Sequence, residues 1–205
     1  LALNKRDLNH LDGEFLRNLK GLIRKVEAKA ACRFVGAPVD RIHFINLPFY
    51  ETGTIKKNPL GPDDVALTVS LLNEIKPHQI FAAGDLSDPH GTHRVCLDAI
   101  TQALVQCSKE SWFKSCYVWL YRGAWQEWPI EAIDMAVPLS PEEVFSKRKA
   151  IFKHQSQKDA PVFPGPDNRE FWQRAEERNA HTAELYNRLG LPEYQAIEAF
   201  QRLVL

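Results

Sequence analysis

Short, nearly unbroken apolar runs alternating with helix-length amphipathic stretches constrain this chain more than any other feature. The clearest run is Gln79–Ala83, Gln-Ile-Phe-Ala-Ala, bounded by Pro77 before it and a Gly-Asp turn after it. A run of that length without polar alternation is expected of a strand covered on both faces. Residues 115–121 form a second run of the same type, residues 132–137 offer another, and residues 41–47 mix β-branched and aromatic side chains in a further strand candidate. Between them lie three helical patterns. Residues 12–36 carry Phe15, Leu19, Leu22, Ile23, Val26 and Ala30 at spacings of three and four, opposite a basic face. Residues 62–75 open on Pro62-Asp63-Asp64 and stop at Pro77, and residues 91–106 place Val95, Leu97, Ile100, Ala103 and Leu104 on apolar positions. Strands alternating with helices in one chain predict an α/β sandwich with a mainly parallel sheet and right-handed crossovers.

From Ser140 onward the pattern changes. Residues 141–154 read as a helix, 156–168 as a proline-rich loop and 169–189 as a charged helix, while the type of 192–205 stays open. Residues 140–205 are thus expected to form a helical C-terminal part packed on the same domain, and residues 1–205 a single domain. The 205 residues are enough for one well-buried core. A net charge of zero argues against a nucleic-acid partner, because neutralising phosphates normally leaves a basic surplus. No apolar run approaches the roughly 20 residues needed to cross a bilayer, so no membrane partner is expected. The chain opens without a secretory pattern. Cys32, Cys96, Cys107 and Cys116 show no CxxC spacing and read as free buried or half-buried thiols, which fits a cytoplasmic, reducing setting. A chain that begins with leucine is expected to be a piece or a processed product of a longer one.

The chemistry concentrates in residues 85–93, Asp-Leu-Ser-Asp-Pro-His-Gly-Thr-His. This segment follows a strand and precedes a helix, which in an open α/β sheet is the strand's carboxyl end, where ligands bind. Asp88 followed by Pro89 fits an N-cap with proline at the first helical position. His90 and His93 would then share one helix face. Neutral imidazole is a common zinc ligand, and Asp85 or Asp88 could ligate or orient a histidine. Alternatively, one histidine holds the metal while the other, as imidazolium, stabilises an oxyanion. A pair of histidines at a helix start can also be only a cap or a surface feature.

Residues 88–94, Asp88-Pro89-His90-Gly91-Thr92-His93-Arg94, resemble the second motif of the LmbE/PIG-L superfamily, a His-Pro-Asp-His sequence ahead of a helix. Downstream, residues 147–157 resemble that family's helix ending in His-x-Ser-Gln, here His154-Gln155-Ser156-Gln157. The resemblance covers most of the chain. More narrowly, residues 81–98 and 121–128 look like the LmbE-like domain fused behind a glucosamine-6-phosphate deaminase-like domain in some bacterial proteins. The resemblance implies a Rossmann-like three-layer fold and zinc-dependent (Zn2+) deacetylation of an N-acetylglucosamine-type amino sugar or its phosphate. It implies His93 as a metal ligand, His90 as the histidine that stabilises the tetrahedral intermediate, and Asp88 as the residue that orients a histidine. It also implies a fused sugar-phosphate deaminase/isomerase as a partner domain. In that alternative, the polypeptide deaminates glucosamine 6-phosphate and this region is an accessory or non-catalytic domain.

One departure matters. The family's first motif, His-Pro-Asp-Asp, supplies two ligands and the general base, and it is absent here. Gly61-Pro62-Asp63-Asp64 imitates it but reads as a helix start. The chain is therefore expected to begin downstream of that motif and, alone, to bind metal weakly and be inactive. Among other candidates, Arg122 is placed to contact a phosphate or carboxylate. His154 is placed to line the pocket, although a C-terminal helix histidine also suits the macrodipole. Trp119, Tyr121, Trp125 and Trp128 form either a sugar-stacking wall or core packing. His43 reads as a core histidine, and Cys96 as packing one turn after His93.

Overall fold

The computed structural model describes residues 13–50, 57–84, 91–123, 126–157, 169–191 and 193–205. Four strands form one sheet: β1 (Gln79–Ala83), β2 (Tyr117–Tyr121), β3 (Met135–Leu139) and β4 (Ala196–Leu203). Among the described residues five α-helices accompany them: α1 (Glu14–Phe34), α2 (Pro62–Ile75), α3 (Thr92–Gln106), α4 (Pro141–Ile151) and α5 (Phe171–Arg188). The strand order is β1-β2-β4-β3. β1 and β2 are parallel, whereas β4 runs antiparallel to both β2 and β3. The α/β class stands, but the sheet is mixed rather than mainly parallel. The cause is the segment whose type the sequence left open: it is a strand, wedged between β2 and β3, and not part of a helical extension.

Ile80, Val118 and Leu203 lie across from one another in the β1, β2 and β4 ladders. They meet Leu104, Cys107 and Trp112, with Val69, Leu72 and Ile100 around them, so α2 and α3 close over this part of the sheet. One polar anchor sits there: the Trp112 indole N–H donates to Asn73 Oδ1 at 3.0 Å. A buried indole needs such a partner. α5 packs along β4, and Asn179 Nδ2 donates to the Ile197 carbonyl at 3.0 Å. The Ile197 carbonyl lies beyond the last β2–β4 pair, Tyr121 with Phe200, so a side chain of α5 rather than a strand satisfies this backbone acceptor.

The helix start at α2 has a clear local cause. Asp64 is 2% exposed. Its Oδ2 accepts the Gly61 N–H at 2.8 Å and its Oδ1 accepts the Phe49 N–H at 3.0 Å. Residues 61–64 are thus a helix cap that also ties down the preceding chain, not a metal-binding motif. α2 ends at Lys76 in the left-handed region (φ 49°), just before Pro77.

Two expectations fail at the other end. Residues 41–47 form no strand; the chain there is irregular between short helical turns at Val39–Arg41 and Pro48–Tyr50. Apolar, β-branched composition is not sufficient without a neighbouring strand to pair with, and none is present among the described residues. His43, expected in the core, is exposed. α1 forms as its periodicity predicts, yet it buries no residue, and Phe15 and Val26 remain 81% and 65% exposed. Its described contacts run to α4 and to the turn at Val39–Arg41, with Glu27 accepting the Ser156 N–H and hydroxyl, each at 2.7 Å. The outer edge of β1 likewise has no strand neighbour among the described residues. No described helix is long and apolar enough to cross a membrane. All four cysteines are free thiols, Cys107 buried and the others half-buried.

Candidate active site at the carboxyl end of β1

β1 ends at Ala83, and Gly84 continues its ladder by donating to the Tyr121 carbonyl at 2.7 Å. A Cβ at Gly84 would stand 2.8 Å from Leu120 Cβ and 3.2 Å from Trp128 Cζ2. Only glycine lets the strand end lie this close to β2 and to the indole. Gly84→Ala should therefore displace Trp128 and cost about 1–3 kcal/mol, read as a drop in the denaturation midpoint together with a shifted Trp fluorescence spectrum.

Asp88 and His90 lie outside the described residues, as does Asp85. The chain resumes at Gly91, whose φ of +67° makes it a left-handed N-cap, and α3 begins at Thr92. The expected cap at Asp88 and Pro89 lies outside the described residues, and the described start of α3 is at Gly91 and Thr92. His93 is on α3, and the expected placement of His90 beside it falls on a residue outside the described ones. Glycine is the residue that takes positive φ without strain, so Gly91 sets where α3 starts. His93 is half-buried in the first turn. Cys96 follows one turn later, near enough to Tyr121 that its thiolate form, when present, would add to the effects that keep the phenol neutral. Burial is the larger cause raising the Tyr121 hydroxyl, and the Glu198 charge acts in the same direction.

Beyond β2 the chain turns through a polar network that sequence patterns did not single out. Glu127 Oε2 pairs with Arg178 Nε at 3.2 Å, the two side chains 12% and 11% exposed. Glu127 Oε1 accepts the Trp128 N–H at 2.9 Å. Burial pushes the Glu127 carboxyl up, and the nearby Glu198 charge adds to this; the Trp128 N–H, Arg178 and Lys147 pull it down without cancelling the desolvation. Next to it, Lys147 Nζ donates to both Glu198 Oε1 and Asn179 Oδ1 at 2.9 Å. α4, α5, β4 and the segment after β2 are thereby cross-linked through charges. The available signal was the Trp-Gln-Glu-Trp sequence: a glutamate flanked by tryptophans is prone to burial.

The structure separates the other candidates. Arg122 leaves the end of β2 and lies over the Trp128 ring, 4.0 Å from its centroid. Trp128 in turn donates from Nε1 to the Leu120 carbonyl at 3.1 Å. Trp119 instead stacks on Tyr117, 6.3 Å between centroids, along the strand. Trp125 lies outside the described residues. His154 sits in the turn after α4, beside Glu27 of α1, and no described contact joins it to His93 or Arg122. Lys147 and Arg148, in the helix quoted for its His-x-Ser-Gln ending, serve cross-links; Arg148 grips Glu176 through Nε and Nη2 at 2.6 and 2.5 Å.

Among the described residues, no group of three or more His, Cys, Asp or Glu side chains converges where a metal could sit. His93 supplies imidazole chemistry suited to zinc, but a catalytic zinc takes about three protein ligands.

Comparison with solved structures places the fold. Teicoplanin deacetylase Orf2, in a zinc-inhibited form, superposes with a TM-score of 0.56 at 19% identity, over 90% of this chain and 74% of that one. The N,N'-diacetylchitobiose deacetylase of Pyrococcus horikoshii gives 0.54 at 18% identity, over 95% and 67%. The fold is that of the LmbE/PIG-L-type deacetylases. GalB, the 4-carboxy-2-hydroxymuconate hydratase of Pseudomonas putida KT2440, also superposes, at 0.61 and 14% identity over 95% and 76%. One fold thus carries more than one chemistry, as is general for α/β scaffolds. No family model matches the sequence. A curated relative, a putative glucosamine-6-phosphate deaminase-like protein of Bacteroides thetaiotaomicron, is 55% identical over 201 residues. That match takes in 97% of this chain but spans 30% of the relative's length.

Proposed function

We propose that this chain contributes part of the active site of a metal-dependent hydrolase that deacetylates an N-acetylated amino sugar or its phosphate. The observation that carries the proposal is the position of His93 in the first turn of α3, downstream of the β1 carboxyl end, in a fold shared with a teicoplanin deacetylase and an N,N'-diacetylchitobiose deacetylase. His93 is a metal ligand in this proposal, completed by donors outside the described residues. Asp88 orients a histidine, and His90 stabilises the negative charge that develops on the acetyl oxygen. A divalent metal supplies Lewis-acid polarisation to such a reaction. The remaining ligands and the general base come from polypeptide outside residues 1–205. Three features support this. The outer edge of β1 has no strand neighbour among the described residues. The apolar stripe of α1 is uncovered. The Pro62-Asp63-Asp64 imitation of a ligand motif is spent on capping α2. By itself, then, the 205-residue chain binds metal weakly and is inactive. The polypeptide is cytoplasmic, acting on a small sugar and on neither nucleic acid nor membrane.

A second reading has its own support in the relative's name and length. There the longer polypeptide deaminates glucosamine 6-phosphate, and this region is an accessory domain. Product analysis separates the two. The polypeptide with its natural flanking sequence should release acetate from N-acetylglucosamine or its 6-phosphate. Ammonia from glucosamine 6-phosphate, surviving deletion of residues 1–205, would place that deaminase elsewhere in the polypeptide. Acetate absent from both sugars would overturn the deacetylase proposal.

A further inference from the structure

Arg122 is held as an anion receptor would be. It is half-buried, and among the described residues its guanidinium meets no carboxylate. Other arginines here do: Arg148 grips Glu176, Arg178 grips Glu127 and Arg188 grips Glu184. The carboxylate nearest to Arg122 in sequence, Glu127, is already committed to Arg178 and the Trp128 N–H. Among the described residues Arg122 donates from Nη1 to one acceptor, the Glu127 carbonyl at 3.1 Å, and its Nε is closed off without a hydrogen bond.

The guanidinium is nonetheless fixed. Its Cζ lies over the Trp128 ring, 4.0 Å from the centroid, and the indole is itself pinned through Nε1 to the Leu120 carbonyl. Trp128 also packs against Gly84, so the Arg122–Trp128 pair sits at the carboxyl end of β1, where the chain leaves toward His93. A positive charge held partly out of water with no counter-ion among the described residues costs stability. Its retention in a pre-oriented form is what oxyanion recognition needs, because a planar fork of N–H donors matches phosphate and carboxylate geometry.

We propose that Arg122, braced on Trp128, anchors an oxyanion of the substrate, a phosphate monoester or a carboxylate, and makes the site prefer anionic amino sugars over neutral ones. The sugar part of this statement rests on the deacetylase proposal; the anion anchor does not.

Two measurements test it. Inorganic phosphate titrated into the polypeptide with its natural flanking sequence should give a saturable shift of the Trp128 indole N–H resonance, lost in Arg122→Gln and partly kept in Arg122→Lys. With the longer polypeptide, kcat/KM for N-acetylglucosamine 6-phosphate or N-acetylmuramate should exceed that for N-acetylglucosamine. Arg122→Gln should reduce that preference by about 10- to 100-fold, the range for losing one charge-assisted contact. The stronger effect between the two acids tells phosphate from carboxylate. Phosphate binding that persists in Arg122→Gln, or acetate release with no preference for either acid, overturns the anchor while leaving the deacetylase in place. Phosphate binding lost in Arg122→Gln with no acetate from any sugar supports the anchor and removes the deacetylase.

Discussion

Arg178→Met should destabilise the fold by about 3–5 kcal/mol at neutral pH, among the largest losses available to a single side chain here. Arg178 and Glu127 are 11% and 12% exposed and 3.2 Å apart. Removing one member of a buried pair leaves the other charge without compensation, which costs more than the pair itself contributes. The pH dependence identifies the cause. In the wild type the folded-state Glu127 carboxyl already titrates above its ordinary value, chiefly because burial disfavours its charge. Where a folded-state acid has a raised pKa, the folded state binds more protons than the unfolded state between the two values. Stability from that group is then fully present below the ordinary value and is lost as pH rises through the raised one. Without Arg178 the carboxyl should rise further, so the penalty should be large at neutral pH and shrink on acidification, where a neutral carboxylic acid needs no counter-charge. Denaturant melts across the carboxylate range and upward measure this. Glu127→Gln added to Arg178→Met should recover much of the loss; a deficit independent of pH would assign it to lost packing of the arginine stem instead.

His93→Ala should lower the catalytic rate of the longer polypeptide by roughly a thousandfold or more while barely altering its fold. A metal ligand acts on several kcal/mol of transition-state stabilisation, and each 1.36 kcal/mol is tenfold in rate. The helix tolerates the change: the residue is half-buried in the first turn of α3, and alanine is the best helix former. Unchanged circular dichroism with acetate release near wild type would remove His93 from the metal.

The elements most legible in the sequence were those whose pattern is local. β1, β2, α2 and α3 fall within a few residues of where apolar runs, Pro77 and the Asp-containing helix start put them. What stayed hidden depends on partners distant in sequence. β4 is Ala-Ile-Glu-Ala-Phe-Gln-Arg-Leu, which carries no decisive period, and it becomes a strand because β2 and β3 flank it. Residues 41–47 show the reverse: strand-like composition with no neighbour to pair with. At the site, the strand-to-helix location of His93 was readable. The described start of α3, at Gly91 with φ +67°, was not, because Asp-Pro upstream is a strong local cap signal. The Glu127–Arg178 pair joins residues far apart in the chain and leaves no trace in spacing.

Metal content is the most direct test of the central claim. The polypeptide with its natural flanking sequence, purified without chelators and quantified by elemental analysis alongside His93→Ala, should carry about one divalent metal per chain. His93→Ala should carry little. Wild type without metal, or His93→Ala with its metal intact, would contradict the account.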